Sequence, residues 1–374
     1  MSWARFLAIM TKEFRQVRRD RLTFGMLVGI PIVQLILFGF AINSDPKHLP
    51  LAVIDADTSE FSRALIAGLE NSQYFRVTQR ASSDREGDLL LARGIVQFTL
   101  AIPSDFSRRL ARGEKPVMLL AADATDPSAT GNALAALSGI AQQTIGRELT
   151  GALAGLRPAE SPFEIRIQRR FNPEGLTRYN VVPGLIGVIL TMTMVMMTGL
   201  AMTRERERGT MENLLATPAK PFEVMLGKIV PYILIGYVQV TVILLMARLL
   251  FDVPMMGSLW LLSLALILFI AANLAVGFTF STIARNQLQA MQLTFFFFLP
   301  SMLLTGFMFP FRGMPSWAQG IGEVLPLTHF LRVVRGILLK GNGIADIVPH
   351  LWPIALFMVV AGTVAMLRYR QTLD

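Results

Sequence analysis

A chain of 374 residues that is 53% hydrophobic and only 16% charged is not a soluble protein, since soluble domains carry about 25% charged residues. Its net charge of +9 does not mark a nucleic-acid partner, because the basic residues flank apolar runs, where membrane topology explains them. The absence of cysteine excludes a disulfide framework and a thiolate site, and His48, His329 and His350 lie far apart without ligand spacing.

Residues 2–19 come first. Trp3, Phe6, Leu7, Met10, Phe14 and Val17 recur at helical spacing, with Arg5, Lys12, Glu13, Arg15 and Arg19 elsewhere. That pattern predicts a basic amphipathic helix on the membrane surface; a plain positive flank explains the same charges. Leu22–Ser44 is uncharged and exceeds the roughly 20 residues of one membrane span. No small-residue cleavage site follows it, so it reads as an uncleaved first span with the amino terminus inside.

Residues 45–178 change character: charges return and no run is long enough to span. Leu51–Asp55, Tyr74–Thr78, Gly94–Ile102, Pro116–Ala121 and Glu164–Arg169 read as strands. Ser59–Glu70, Asp105–Ala111 and Asn132–Leu153 read as helices, the first with Phe61, Leu65, Ile66 and Leu69 on one face. The alternation predicts a compact α/β domain. Asp55, Asp57, Asp123 and Asp126 stand at strand ends without a nucleophile motif, a phosphate loop or a metal-ligand cluster. They read as turn residues.

Five more apolar runs follow: Tyr179–Thr203, Ile229–Ala247, Val253–Ala284, Asn286–Phe311 and Ile347–Leu367. The expected class is therefore a mainly α membrane protein of six spans, with an external α/β domain between the first two. The expected organisation is 1–44, a surface helix and first span; 45–178, the external domain; and 179–374, the rest of the membrane domain. Its spans are expected at about 179–203, 229–250, 256–283, 287–308 and 348–368. Threading puts 204–228 inside and 312–346 outside. Most flanking cations then fall inside, and Arg248, Arg312, Arg332, Arg335 and Lys340 are the exceptions. Residues 306–346 carry three prolines and too many apolar groups for a solvated loop, which predicts short helices dipping into the outer leaflet.

The connection Thr203–Lys228 is the least bland stretch. Arg204, Glu205, Arg206, Glu207 and Arg208 alternate in charge. Gly209-Thr210 opens a helical segment in which Met211, Leu214 and Leu215 share a face, and Pro218 and Pro221 close it. Read alone, it is either a solvated loop or a handle for a soluble partner. RERERGTMENLLATP (Arg204–Pro218) is similar to the segment after the second transmembrane helix of ABC-2 type permeases of the multidrug-efflux branch. These are the membrane subunits of ATP-binding-cassette exporters. KEFRQVRRD (Lys12–Asp20), FNPEG (Phe171–Gly175), VPG (Val182–Gly184) and LPSMLLTGFMFP (Leu299–Pro310) extend the resemblance in the same order over nearly the whole chain.

The resemblance implies a coupling helix that docks on an ATPase. Leu214 and Leu215 would be its anchors, Glu205, Arg208 and Glu212 its orienting charges, and Gly209 its turn. It also implies two ATPase partners carrying the ATP and magnesium, pairing with an identical or similar permease, re-entrant helices before the sixth span, and a bacterial inner membrane with both termini cytoplasmic. A periplasmic adaptor is a further partner to expect. The chain itself lacks a G-x-x-x-x-G-K-[ST] loop, so it carries no ATP site of that kind and is not expected to be an enzyme or to hold a cofactor. No span has an acidic residue at mid-depth, which argues against ion-coupled transport.

Two features suggest a substrate path for hydrophobic or amphipathic compounds. Met192, Met194, Met196 and Met197 give the second span adaptable side chains. Phe295–Phe298 send rings around the fifth span before Pro300, where a hydrophobic constriction can form. Ordinary packing against lipid or neighbouring helices explains the same residues. A second class of function also remains open: a non-transporting complex that passes ATPase work to the external domain.

Overall fold

The computed structural model describes residues 46–149, 162–208 and 221–368. The expected surface helix, the first span, and Gly209, Glu212, Leu214 and Leu215 lie outside these residues. So does the end of the Asn132–Leu153 helix.

The amino-terminal part is an α/β domain. Its order is β1 (Leu49–Asp55), α1 (Glu60–Asn71), β2 (Phe75–Arg80), α2 (Asp84–Ala92), β3 (Phe98–Ile102), α3 (Phe106–Ala111), β4 (Val117–Asp123), α4 (Pro127–Glu148) and β5 (Glu164–Arg170). The sheet order is β2-β1-β3-β4-β5, with β4 antiparallel to β3 and the other neighbours parallel. Alternation along β1 decides the two faces. Leu49, Leu51 and Val53 join Leu65 and Leu69 of α1, and Leu137, Ala141 and Ile145 of α4, in the larger core. Ala52 and Ala121 face the other way, where their small side chains let Leu91 of α2 sit close.

All five expected strands are present, but the third is shorter than its reading. Gly94 adopts φ +70° and ends the α2 turn, so pairing begins only at Phe98. Helix α2 was not foreseen. Ser83 caps it by accepting from the Glu86 amide, and Glu86 answers through the Ser82 amide, so its start is held by reciprocal capping bonds rather than by an apolar stripe. Asp55 is a turn residue, as read, whereas Asp126 is a helix cap. Asp55 accepts from the amides of Asp57 and Thr58, and Asp126 caps α4 by accepting from the Ala129 amide.

Among the described residues, five helices are long and apolar enough to cross a membrane: α5 (Thr177–Glu207), α6 (Pro221–Phe251), α7 (Leu259–Ile283), α8 (Gln287–Leu304) and, last of them, α11 (Ile344–Arg368). The chain is therefore a multi-pass membrane protein with a small sheet domain near its amino terminus. Helix α5 runs one turn beyond its apolar run, and α8 stops four residues before 308. Pro221, read as closing the preceding segment, is the first residue of α6, a position where a missing N–H costs nothing. Arg248, read as a loop residue, is in the last turn of α6.

Helix α7 is the hub. It packs against α5, α6, α8 and α11, and its middle is buried. A Cβ on Gly277 would stand 2.7 Å from the Val195 carbonyl oxygen, so the α5–α7 crossing requires glycine there. The faces of α6 and α11 stay largely apolar and exposed, with Leu234, Val238 and Leu249 on one and Trp352, Leu356 and Val360 on the other.

Between α8 and α11 the chain makes α9 (Ser316–Val324), α10 (Pro326–Arg335) and a wide helical turn, Gly336–Lys340. The short helices expected there exist. Helix α10 is almost wholly buried, and Phe330 stacks on Phe269 of α7 at 4.1 Å between ring centres.

Candidate functional site

At one end of α5 lies the charged connection. Of its expected coupling residues, only Glu205 and Arg208 are described, and both sit at the end of this helix. The adjacent Glu207 makes a contact that the sequence did not signal. Its carboxylate accepts from the Gln287 amide at 2.8 Å and from the Gln287 side-chain amide. These two bonds, the side-chain one foremost, lower its pKa. Gln287 is the first residue of α8, where an unpaired helical N–H welcomes an anion. The charged segment is thereby tied to the start of the helix that carries Phe295–Phe298.

In the interior, Met192 packs half-buried against the main apolar core, and Phe298 belongs to that same core. Met194 is fully buried in it. Met196 and Pro300 are half-buried, and Phe295 is 37% exposed. The structure thus joins Met192 and Phe298 through one core, while Phe295 looks outward. Among the described residues, the polar side chains buried in α5, α7 and α8 are uncharged, and the threonine hydroxyls among them bond to carbonyls one turn back. Gln239 accepts from Thr193 at 3.0 Å, and the Asn273 amide donates to the Phe269 carbonyl at 2.8 Å.

The opposite end of the membrane domain holds a set of contacts with the α/β domain. Four of them converge on the turn that closes α2. The Leu91 carbonyl accepts from Lys340 at 3.2 Å, and the Ala92 carbonyl from Asn342 at 3.2 Å. Arg93 pairs with Asp346 at 3.0 Å, and Gly94 accepts from Arg312 at 2.8 Å. The last carbonyls of a helix lack intrahelical donors and carry partial negative charge, so cations are suited to them. Lys340 also reaches the Asp123 carboxylate at the end of β4. Both side chains are about nine-tenths buried, at 8% and 10% exposure.

The covalent join between the two parts is equally ordered. In FNPEG, the Asn172 side chain accepts from the Leu176 amide at 2.9 Å and donates to its carbonyl at 3.0 Å. Phe171 and Gly175 both take positive φ there. Phe171 lies under the Lys340 ammonium, 5.2 Å from the ring centre.

Three of the four cations that the topology left on the outer side after α8, Arg312, Arg335 and Lys340, have partners across this junction or around it. Arg312 and Lys340 bind the α/β domain, and Arg335 binds Asn180 beside the FNPEG turn at 2.7 Å. The fourth, Arg332, pairs with Glu323. Their departure from the charge rule was the available signal of a contact. Asp123 has a role beyond the turn reading, since it holds Thr125 and Lys340 together.

No solved structure matches the chain. Among curated proteins it is 29% identical over 347 residues to the probable multidrug ABC transporter permease YbhS of Escherichia coli, covering 91% of this chain and 90% of that one. It is 26% identical over 367 residues to the probable multidrug ABC transporter permease YbhR of the same organism, covering 98% of each. It is 31% identical over 382 residues to the inner membrane transport permease YhhJ, covering 97% of this chain and 96% of that one. A family model described as ABC-2 family transporter protein matches residues 21–367. Apolar helices, an ordered α/β domain and a match of this extent lead to one conclusion: the chain belongs to the ABC-2 transporter family, as a permease component and not itself an enzyme.

Proposed function

We propose that this chain is the membrane subunit of an exporter that moves hydrophobic or amphipathic compounds out of the cytoplasm or the inner leaflet. Two separate ATPase subunits, holding the ATP and magnesium, drive it through Arg204–Pro218. The permease works as a pair, with itself or a similar chain, in a bacterial inner membrane with both termini inside. The observation that carries the reading is the apolar interior shared by Met192 and Phe298, without a charged side chain in α7 or α8. A small hydrophilic ion would lose several kcal/mol of hydration there without a partner. Reconstituted with its ATPase, the permease is expected to show ATP hydrolysis stimulated by lipophilic drugs. Stimulation by sugars or small anions alone would count against the reading.

The orientation follows from charge placement, with the α/β domain outside and Arg204–Lys228 inside. The spans are 22–44 and those beginning at 179, 229, 256, 287 and 348, and α9 and α10 are re-entrant from the outer side. Because the chain has no cysteine, single thiols report without background. Ser83→Cys or Ser128→Cys is expected to react with an impermeant thiol reagent once the outer barrier is permeabilised, while Asn213→Cys stays unlabelled. The reverse labelling would overturn the orientation. The contrasting function, a complex that moves the outer domain without transport, predicts no drug accumulation difference between cells with and without the permease.

A further inference from the structure

Beneath the α/β domain, the contacts at its junction border an open-sided cavity of about 720 Å³. Its walls come from the α2 turn, the ends of β4 and α8, and the segment from Phe311 to His350. Three carboxylates there are already matched: Asp123 by Lys340, Glu323 by Arg332 and Asp346 by Arg93. A fourth, Asp126, is engaged in capping α4 through Ser128 and Ala129.

Two guanidinium groups remain without an ion pair among the described residues, Arg312 and Arg335. Arg335 donates from Nη1 to the Gly306 carbonyl at 3.1 Å and from Nη2 to the Asn180 side chain at 2.7 Å. Its Nε is buried and has no acceptor. Burial lowers its pKa, and Asp126 and Asp123 offset this only in part. Arg312 is exposed to the cavity and bonds only to backbone carbonyls. Two cations facing one space, each served by neutral acceptors, form a receptor for a negatively charged group. The planar fork of Arg suits phosphate or carboxylate in particular. Ile95, which is exposed, lines the same space and offers apolar surface beside it.

We propose that this cavity binds the anionic head of an amphipathic molecule, a phosphate or carboxylate, through Arg312 and Arg335. The inference narrows the exported class to amphipaths with a negative head, and to that extent rests on the export reading; binding at the cavity does not depend on it.

The test uses purified full-length permease in nanodiscs of neutral lipid, with dodecyl phosphate as the probe. Arg312→Gln with Arg335→Gln is expected to weaken binding by about tenfold or more, as loss of charge-assisted bonds does. Dodecanol is expected not to compete. Arg312→Gln alone alters an exposed side chain, so its severalfold loss supports the site even if the double variant folds poorly. Unchanged affinity in the single and double variants, or equal competition by dodecanol, overturns the proposal. Added phosphatidylglycerol separates the sources: competition identifies the bilayer lipid headgroup, and its absence identifies a soluble amphipath. Export of a neutral lipophile is measured in parallel. If it fails while dodecyl phosphate binding depends on the arginines, the export reading falls and the anion site stands. If it persists while binding ignores the arginines, the anion site falls alone.

Discussion

Replacing Leu214 and Leu215 together by Asp is expected to abolish recruitment of the ATPase while leaving membrane insertion intact. Buried anchors dominate interface energy, at about 2 kcal/mol or more each, so the loss of either one weakens binding by roughly thirtyfold. A carboxylate at each site adds the cost of an unpaired charge in an apolar groove. Charge reversal at Glu205, Arg208 or Glu212 is expected to act more gently, because rim charges set orientation more than affinity. Gly209→Val tests the turn separately, since a β-branched residue restricts the chain where it leaves the span. If force enters through Arg204–Pro218, the Glu207–Gln287 bonds would give it a second path, through the start of α8 as well as along α5. Glu207→Ala is therefore expected to keep recruitment but export less per ATP. Tagged permease, solubilised and captured, reports recruitment directly. If the double Asp variant still captures the ATPase and exports at the normal rate, Glu205–Leu215 is only a solvated loop.

Lys340→Met is expected to loosen the α/β domain from the membrane domain by about 3–5 kcal/mol, because Asp123 is then left charged and buried. An equilibrium between the docked domain and one detached from the membrane domain would shift by two orders of magnitude or more. Replacing both partners, Lys340→Met with Asp123→Leu, is expected to cost less than the single change, since no orphan charge remains. Arg93→Ala, which removes a pair whose arginine is half exposed, is expected to cost no more than about 1 kcal/mol. A thiol introduced as Ala92→Cys, at the seat itself, reports lifting through its rate of modification, and thermal unfolding in detergent reports the stability. Equal labelling and an unchanged unfolding temperature in Lys340→Met would show that the Lys340–Asp123 pair does not hold the domain.

Several parts of this protein were legible in order along the chain. Uncharged runs of span length gave α5, α6, α7, α8 and α11, because a bilayer imposes its thickness on every crossing helix. The strands of the α/β domain showed as short β-branched and aromatic runs, and Asp55 as a turn residue. Helix α2 escaped because capping bonds at Ser82, Ser83 and Glu86 define it more than any apolar stripe. The ends of α5 and α6 escaped because charged residues continue a helix once its apolar part has formed.

What the sequence by itself determined is local: which segments are apolar enough to cross and which alternate like strands. Each of these follows from residues within a turn or a span of one another. Only the tertiary structure decided that Lys340 meets Asp123, 217 residues away, that Glu207 meets Gln287 across 80 residues, and that Arg312 and Arg335 face one cavity. The physical reason is that an ion pair carries no periodicity. A lysine looks the same in sequence whether water or a buried aspartate awaits it, and the choice is made only when packing removes the water.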